Sequence, residues 1–474
     1  MVDSTSPDRG IKWECIQKEG YKIYQSGRHI KGNFIRVFAP DSPYEDEQGK
    51  VKVVVYLHGF ALCMPRFYQQ HLERLVKKRR YYVLFPDFQK SKYPNKIEDE
   101  TKGKGTEEKN YFGFYSSLVR DLIVKGDSFA IDDFFSEEQK ESESVPGIEG
   151  KLSQPSRFAY LRVALALLLL IAIIKLIYWF KGTYGKHLIN LIDTVFLSLV
   201  QKPRKWMENA IALTEQAWGK LCEENHELEQ KEIDVYVFGH SLGGLLALSW
   251  PAYITPAQQK FSAKQIITAD PAPSTEMGIP PIAVWILKLF QSPFTAAPIK
   301  ISDSGSKLNV PVGIMHGAAD KIVKPQSWVK RSFWQRKPNF DYIASQHKKI
   351  YFSLSNEETQ PPLVAFHNQA VTETKYFSDA LFENFGGVKH GANAYNYQYI
   401  WPGLHLVVQE EARADELLDQ FPLETIQVTG TLPDKPPNFK PIAIAILVVL
   451  ALFGFGYCFL HYGTVGLQAT KIGL

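Results

Sequence analysis

Residues Ile233–Trp250 read IDVYVFGHSLGGLLALSW, and their pattern sets the fold class. Ile233–Phe238 is a short apolar run, β-branched and aromatic, of the kind that makes a strand buried on both faces. Leu242–Trp250, LGGLLALSW, has a helical pattern. Between them, Gly239-His240-Ser241-Leu242-Gly243 has the form GxSxG. A strand that turns sharply into a helix at a serine strains that residue and exposes its Oγ. The flanking glycines let the two backbones approach. The helix N-terminus then points amide dipoles at any oxyanion that develops beside the serine. The expectation is a nucleophile, not an ordinary turn serine.

The elements on either side extend this pattern. YKIYQSG and NFIRVFAP read as an early antiparallel pair. VKVVVYLHGF, a helix pattern from Pro65 to Lys78, and YYVLFPDF follow. After a long interruption come a helix from about Arg204 to Glu224 and the Ile233–Trp250 unit. Next are QIITAD, an irregular apolar region, VPVGIMHGAAD, a further helical stretch and KKIYFSLS. The strand patterns are short and apolar throughout, which predicts an α/β fold: a mostly parallel, doubly wound sheet covered on both faces. Its two halves are 1–88 and 201–432. They flank an inserted cap at 89–200, whose stretch from Lys90 to Ser156 is polar, charged and loop-like.

Two apolar stretches point to a membrane. Pro441–Leu460 is 20 residues without a charge, a length of roughly 30 Å as a helix, which matches the bilayer core. Lys440 lies at one end; Tyr457, His461 and Tyr462 lie near the other, as interface anchors do. A transmembrane helix is therefore expected over 441–462, after a Pro-rich linker at 433–440. The second stretch, 158–180, has an uninterrupted apolar core of only 12 residues, Val163–Ile174, between Arg162 and Lys175. One crossing there would divide strands that must share a sheet. The expectation is a hydrophobic cap that dips into one leaflet beside the site, turning near Gly182–Gly185. The first residues, MVDSTSPDRG, show no cleavable signal peptide, so the catalytic domain is expected on the cytoplasmic side, with the bilayer as a partner.

Composition removes other classes. Hydrophobic residues are 45% and charged residues 22%, which excludes global disorder. Lys and Arg number 54 against 50 Asp and Glu, a net +4 too small for a nucleic-acid binder. Cys15, Cys63, Cys222 and Cys458 have no ligand spacing and suggest neither a metal site nor a disulfide framework. No GxGxxG or GxxxxGK[ST] is present, so no nucleotide cofactor is expected. Aromatics reach 13%, fitting either a large aromatic core or membrane-interface rings.

On the pieces YLHGF, FPDF, GHSLGG and MHGAADKIV, the chain resembles the α/β-hydrolase family, most closely its bacterial esterase- and lipase-like members. The resemblance runs from about Tyr21 to Leu406, the insertion excluded. It implies that Ser241 is the nucleophile and that the backbone N–H groups of Phe60 and Leu242 are the oxyanion donors. His58 is expected to fix its loop by hydrogen bonding. The resemblance places the acid at Asp320 in HGAADKIV, with Asp270 in TADPAPS as runner-up. It implies the base at His367 in LVAFHNQAV, with His390 and His405 as competitors; His347 lies too early and His316 precedes the acid. The implied activity is hydrolysis of an apolar acyl ester, lipids included, through an acyl-enzyme, with no metal or organic cofactor. Acyl transfer, thioester hydrolysis and a non-catalytic membrane scaffold stay open as alternatives. The Asn- and Tyr-rich segment NAYNYQYIWPG has no role readable from sequence.

Overall fold

The computed structural model describes residues 12–102, 197–198, 201–277, 284–285, 287–288, 292–332, 335–373 and 391–434. The expected cap segment 158–180 and the expected membrane helix 441–462 lie outside the described residues, as does His390. Among the described residues, no helix is long and apolar enough to cross a membrane.

The strands are β1 (Glu14–Lys18), β2 (Tyr21–Ser26), β3 (Ile35–Pro40), β4 (Val51–Leu57), β5 (Tyr82–Pro86), β6 (Ile233–His240), β7 (Ala263–Ala269), β8 (Val312–Gly317), β9 (Lys348–Ser353) and β10 (Val428–Thr429). They form one sheet in the order β1-β2-β3-β5-β4-β6-β7-β8-β9-β10. The run from β5 through β4 to β9 is parallel. β1, β2 and β3 extend it antiparallel at one edge, and β10 does so at the other. The expected mostly parallel sheet is present, with β2 and β3 as the early antiparallel pair.

Period-2 alternation sends side chains to both faces, and both faces are covered. Val51, Val53, Val55 and Leu57 of β4 pack with Trp206, Met207 and Ile211 of α1 (Pro203–Glu224) and with Leu245 and Leu246 of α2 (Leu242–Tyr253). Val54 and Tyr56 pack on the opposite face with Phe67, Tyr68 and Leu72, and with Trp401 and Leu404 of α3 (Trp401–Val408). Every residue of β4 is buried, and its run is apolar but for Lys52, whose ammonium is paired with Asp46, Asp234 and Glu410. Of the two explanations for the aromatic content, a large aromatic core is realised here: Tyr56, Tyr68, Tyr236, Tyr351, Tyr399 and Trp206 are all fully buried.

The chain leaves β4 toward β5 on one side and, after the insertion, returns to place β6 on the other. Such a reversal opens a crevice beyond the C-terminal ends of the strands. The loop after β4 and the turn after β6 flank it, since Leu57 and Gly239 are register partners.

The polar stretch expected to be loop-like departs from that reading at its start. Ile97–Lys102 is a helix with Glu98, Asp99 and Glu100 in its first turn, where carboxylates favour a helix N-terminus. Glu100 is buried against Arg36 of β3 at 2.7 Å, a tertiary ion pair that composition does not reveal. The two ends of the insertion meet beside the β4 loop: Gln89 Nε2 donates to Ser198 Oγ at 3.2 Å and the Lys90 amide to Gln201 Oε1 at 3.1 Å.

Candidate active site

Ser241 stands between β6 and α2 with φ 53° and ψ −114°. A non-glycine residue held there is strained, and the surroundings hold it firmly. Its amide donates to the Ala269 carbonyl at 2.9 Å; its own carbonyl accepts from the Leu245 amide at 3.2 Å and the Ala272 amide at 3.0 Å. Two glycines permit the turn. A Cβ on Gly239 would stand 2.1 Å from the Gly243 carbonyl oxygen, and one on Gly243 would stand 2.3 Å from that of Leu57. Both obstacles are backbone and cannot rotate away.

The structure brings the three expected side chains together from three loops. His367 Nε2 lies 2.7 Å from Ser241 Oγ, and His367 Nδ1 lies 2.7 Å from Asp320 Oδ2. Asp320 follows β8, and its other oxygen accepts the Ile322 amide at 2.8 Å and the Val323 amide at 3.0 Å. Those two amides fix the carboxylate plane, so Oδ2 faces the imidazole. Ser241, Asp320 and His367 are all buried. The carboxylate requires a proton on Nδ1 and leaves the Nε2 lone pair facing the hydroxyl, the arrangement that lets a serine lose its proton.

Burial alone would lower the His367 pKa. The Asp320 charge and hydrogen bond, helped by the Asp270 charge, outweigh burial and raise it above the ordinary histidine value. A base must be neutral to accept a proton, so a reaction that uses His367 as base is expected above that pKa and is expected to be lost as pH falls through it. The expected kcat/KM profile therefore has an acidic limb with its midpoint above about 6.5, the ordinary value. A midpoint below that value would count against His367 as the base. The stability contribution has the opposite sign. It is fully present below the unfolded-state pKa and is lost as pH rises through the raised folded one.

The loop after β4 carries the expected oxyanion donor. The Gly59 amide donates to Tyr68 Oη at 2.9 Å and the Ala61 amide to Gln89 Oε1 at 3.0 Å. The Phe60 amide between them, and the Leu242 amide at the start of α2, donate to no protein acceptor among the described residues. His58 anchors the loop, as expected: its Nδ1 lies 2.8 Å from the Gly59 carbonyl oxygen and its Nε2 lies 3.2 Å from Asp87 Oδ1. Asp87 Oδ2 takes His29 Nδ1 at 2.6 Å. Burial favours the neutral Asp87, but its bonds and charge interactions with the two histidines prevail and lower its pKa.

Asp270 lies beneath the triad and does not bond to His367. Its Oδ1 accepts His316 Nδ1 at 3.1 Å, the Gly317 amide at 2.8 Å and Gln369 Nε2 at 3.3 Å. His316 Nδ1 also lies 3.6 Å from Asp320 Oδ2, so it stands between the two carboxylates. Burial and the Asp320 charge raise the Asp270 pKa despite the bond from His316. The other candidate histidines among the described residues, His405 and His347, are engaged elsewhere. His405 Nδ1 lies 3.1 Å from Tyr81 Oη, and His347 is exposed beside Asp415.

The Asn- and Tyr-rich segment supports the site from behind. Asn396 Nδ2 donates to the Gln369 carbonyl at 2.7 Å, next to the base loop. Tyr399 Oη accepts the His316 amide at 3.0 Å and donates to the Tyr351 carbonyl at 2.6 Å. Tyr68, Asp87, His240, Asp270 and His316 were present in the quoted motifs or patterns, yet their partners are distant in sequence and nothing local signals them.

No protein-family profile matches the chain, and no curated protein matches it. Solved structures similar to it include three esterases. The acetyl xylan esterase 1 of Thermoanaerobacterium sp. is 12% identical with a TM-score of 0.31, covering 74% of this chain and 82% of its own. An esterase of Pyrococcus furiosus is 12% identical at 0.31, covering 74% and 86%. Esterase B of Lactobacillus rhamnosis is 10% identical at 0.33, covering 70% and 75%. At this distance the functional reading rests on the geometry of the site.

Proposed function

We propose that this chain is an α/β-hydrolase: a serine hydrolase that cleaves carboxylic esters of apolar acyl groups through an acyl-enzyme. The observation that carries the reading is the unbroken contact series Asp320 Oδ2, His367 Nδ1, His367 Nε2, Ser241 Oγ, with both contacts at 2.7 Å. A serine hydroxyl is a weak nucleophile at neutral pH. His367 takes its proton as Oγ attacks the ester carbonyl, and Asp320 stabilises the imidazolium that forms. The Phe60 and Leu242 amides receive the developing oxyanion at the positive end of α2. The imidazolium then protonates the leaving alkoxide. Water deprotonated by the same histidine attacks the acyl-enzyme and releases the acid and free Ser241.

The test is covalent labelling of the full chain with a fluorophosphonate, with Ser241→Ala as control. Label on Ser241 together with acid and alcohol as products supports the reading. Label elsewhere, or transfer to an alcohol acceptor in place of hydrolysis, replaces it.

The proposal extends to the membrane. The uncharged run Pro441–Leu460 motivates an anchor, with the catalytic domain on the cytoplasmic side and the 158–180 cap admitting acyl chains from the same leaflet. A chain ending near Pro433 is expected to leave the membrane fraction and keep its esterase activity. Equal membrane retention of the two forms would remove the anchor from the proposal.

A further inference from the structure

We infer that Tyr68 and His240 are positioning residues of this reaction, forming a one-way hydrogen-bond relay that ties the oxyanion loop to the loop of the catalytic base. The inference rests on the hydrolase reading for its consequence, but its geometry stands independently. The Gly59 amide donates to Tyr68 Oη at 2.9 Å. Tyr68 Oη lies 2.9 Å from His240 Nδ1, and His240 Nε2 lies 3.1 Å from the carbonyl oxygen of His367. The two ends fix every proton between them. An amide only donates and a carbonyl only accepts. Tyr68 must therefore accept from Gly59 and give its own proton to Nδ1, while Nε2 carries the proton that bonds His367.

All the members are buried. Tyr68 and His240 are fully enclosed, so no water replaces a lost partner without reorganisation. Burial and the neighbouring His367 lower the pKa of His240 to about 3, which keeps the ring neutral in the tautomer the relay needs. Burial likewise keeps the Tyr68 hydroxyl protonated. The fit is tight: a Cβ on Gly59 would stand 2.7 Å from His240 Nδ1, so the oxyanion loop lies directly on the ring.

The consequence concerns the transition state. Gly59 precedes Phe60, the oxyanion donor, and His240 precedes Ser241. The backbone carbonyl that His240 holds belongs to the base itself. One relay thus holds the three loops that must converge when the oxyanion forms. Its members touch no substrate, so losing it should misplace the donors without altering substrate binding.

The experiment uses the full-length protein and a short-chain aryl ester. Tyr68→Phe keeps the ring and removes the hydroxyl. It is expected to lower kcat about 10- to 100-fold, less than outright removal of an oxyanion donor, with KM within about twofold of wild type. Binding of a boronic acid, which forms a tetrahedral adduct on the serine, should weaken in proportion to kcat. The acidic limb of the pH profile should stay in place, because Asp320 still sets the base. His240→Asn is the companion variant. Its Oδ1 stands close to the place of Nδ1 and keeps the Tyr68 bond, but it cannot reach His367; it too should lose kcat and not KM. A folded variant of either kind with kcat within about twofold of wild type would overturn the relay's role in the reaction.

A second readout needs no turnover. Nitrogen-15 shifts of labelled histidine should place the His240 proton on Nε2. A proton on Nδ1 would overturn the relay itself. Wild-type protein with the expected tautomer, but with no turnover and no fluorophosphonate label on Ser241, would sink the hydrolase reading and leave the relay standing.

Discussion

Ser241→Ala is expected to lower kcat for a short-chain aryl ester about 10⁶-fold, the loss seen when the nucleophile of a serine hydrolase is removed. Among the described residues, no other hydroxyl is bonded to His367 Nε2, which lies 2.7 Å from Ser241 Oγ. Without Oγ the covalent route closes. What remains is attack by water aided by the amides of Phe60 and Leu242 and by substrate positioning, a residue of about 10³–10⁴ over the uncatalysed reaction. KM should change little, since Oγ contributes more to the reaction than to binding. The fold should survive, because the change removes one buried hydrogen bond worth about 1 kcal/mol and retains the backbone bonds to Ala269, Leu245 and Ala272. A folded Ser241→Ala protein with wild-type turnover would remove Ser241 from the mechanism altogether.

The parts of the site that sequence made legible are those written in local pattern. The elbow is legible because strand period, glycines and helix period adjoin within Ile233–Trp250. The candidate acid and base came from the family resemblance and its chain order, and the structure brings Asp320 and His367 to Ser241. The layers behind them are invisible for a physical reason. Tyr68 meets His240 across 172 positions, and His316 meets Asp270 across 46. Such pairs are set by which strand lies beside which, and no window of sequence contains both members.

The fold shows the same divide. The parallel core was legible because its strands are buried on two faces along most of their length and read as largely apolar, charged residues such as Lys52, Asp234 and Lys264 aside. β1 was not: ECIQK is almost wholly exposed and shows no alternation, and it pairs only along the β2 edge. β10 is two residues long. The helix Ile97–Lys102 was hidden by its own charges, because its ordering contact is the buried Arg36–Glu100 pair. NAYNYQYIWPG was opaque for the reverse reason: Tyr395 and Tyr399 are buried hydrogen-bonding groups while Tyr397 between them is exposed, and composition alone does not separate such roles from an exposed binding surface.

Asp320→Asn is expected to lower kcat about 10⁴-fold, while Asp270→Asn costs less than about tenfold. The two carboxylates lie close together, and only their hydrogen bonds separate their roles. At Asp320, asparagine keeps one oxygen for the Ile322 and Val323 amides, which already hold Oδ1. That turns its NH₂ toward His367 Nδ1 in place of Oδ2. A donor facing Nδ1 drives the imidazole proton to Nε2, where it points at Ser241 Oγ and occupies the lone pair the hydroxyl proton needs. The neutral tautomer is then the wrong one. The charge that raised the His367 pKa is also gone, so the acidic limb of the pH profile should move down with the loss of rate. Asp270 has no bond to His367 to lose. Its Oδ1 serves His316, Gly317 and Gln369, and an asparagine oxygen can serve them in its place. Its backbone stands at φ 48°, a region that asparagine tolerates as well as aspartate does. The measurement is kcat and kcat/KM across pH for both variants beside wild type. If Asp270→Asn is crippled while Asp320→Asn keeps most of its rate, the acid of this site is Asp270, with His316 as the group through which it reaches the base.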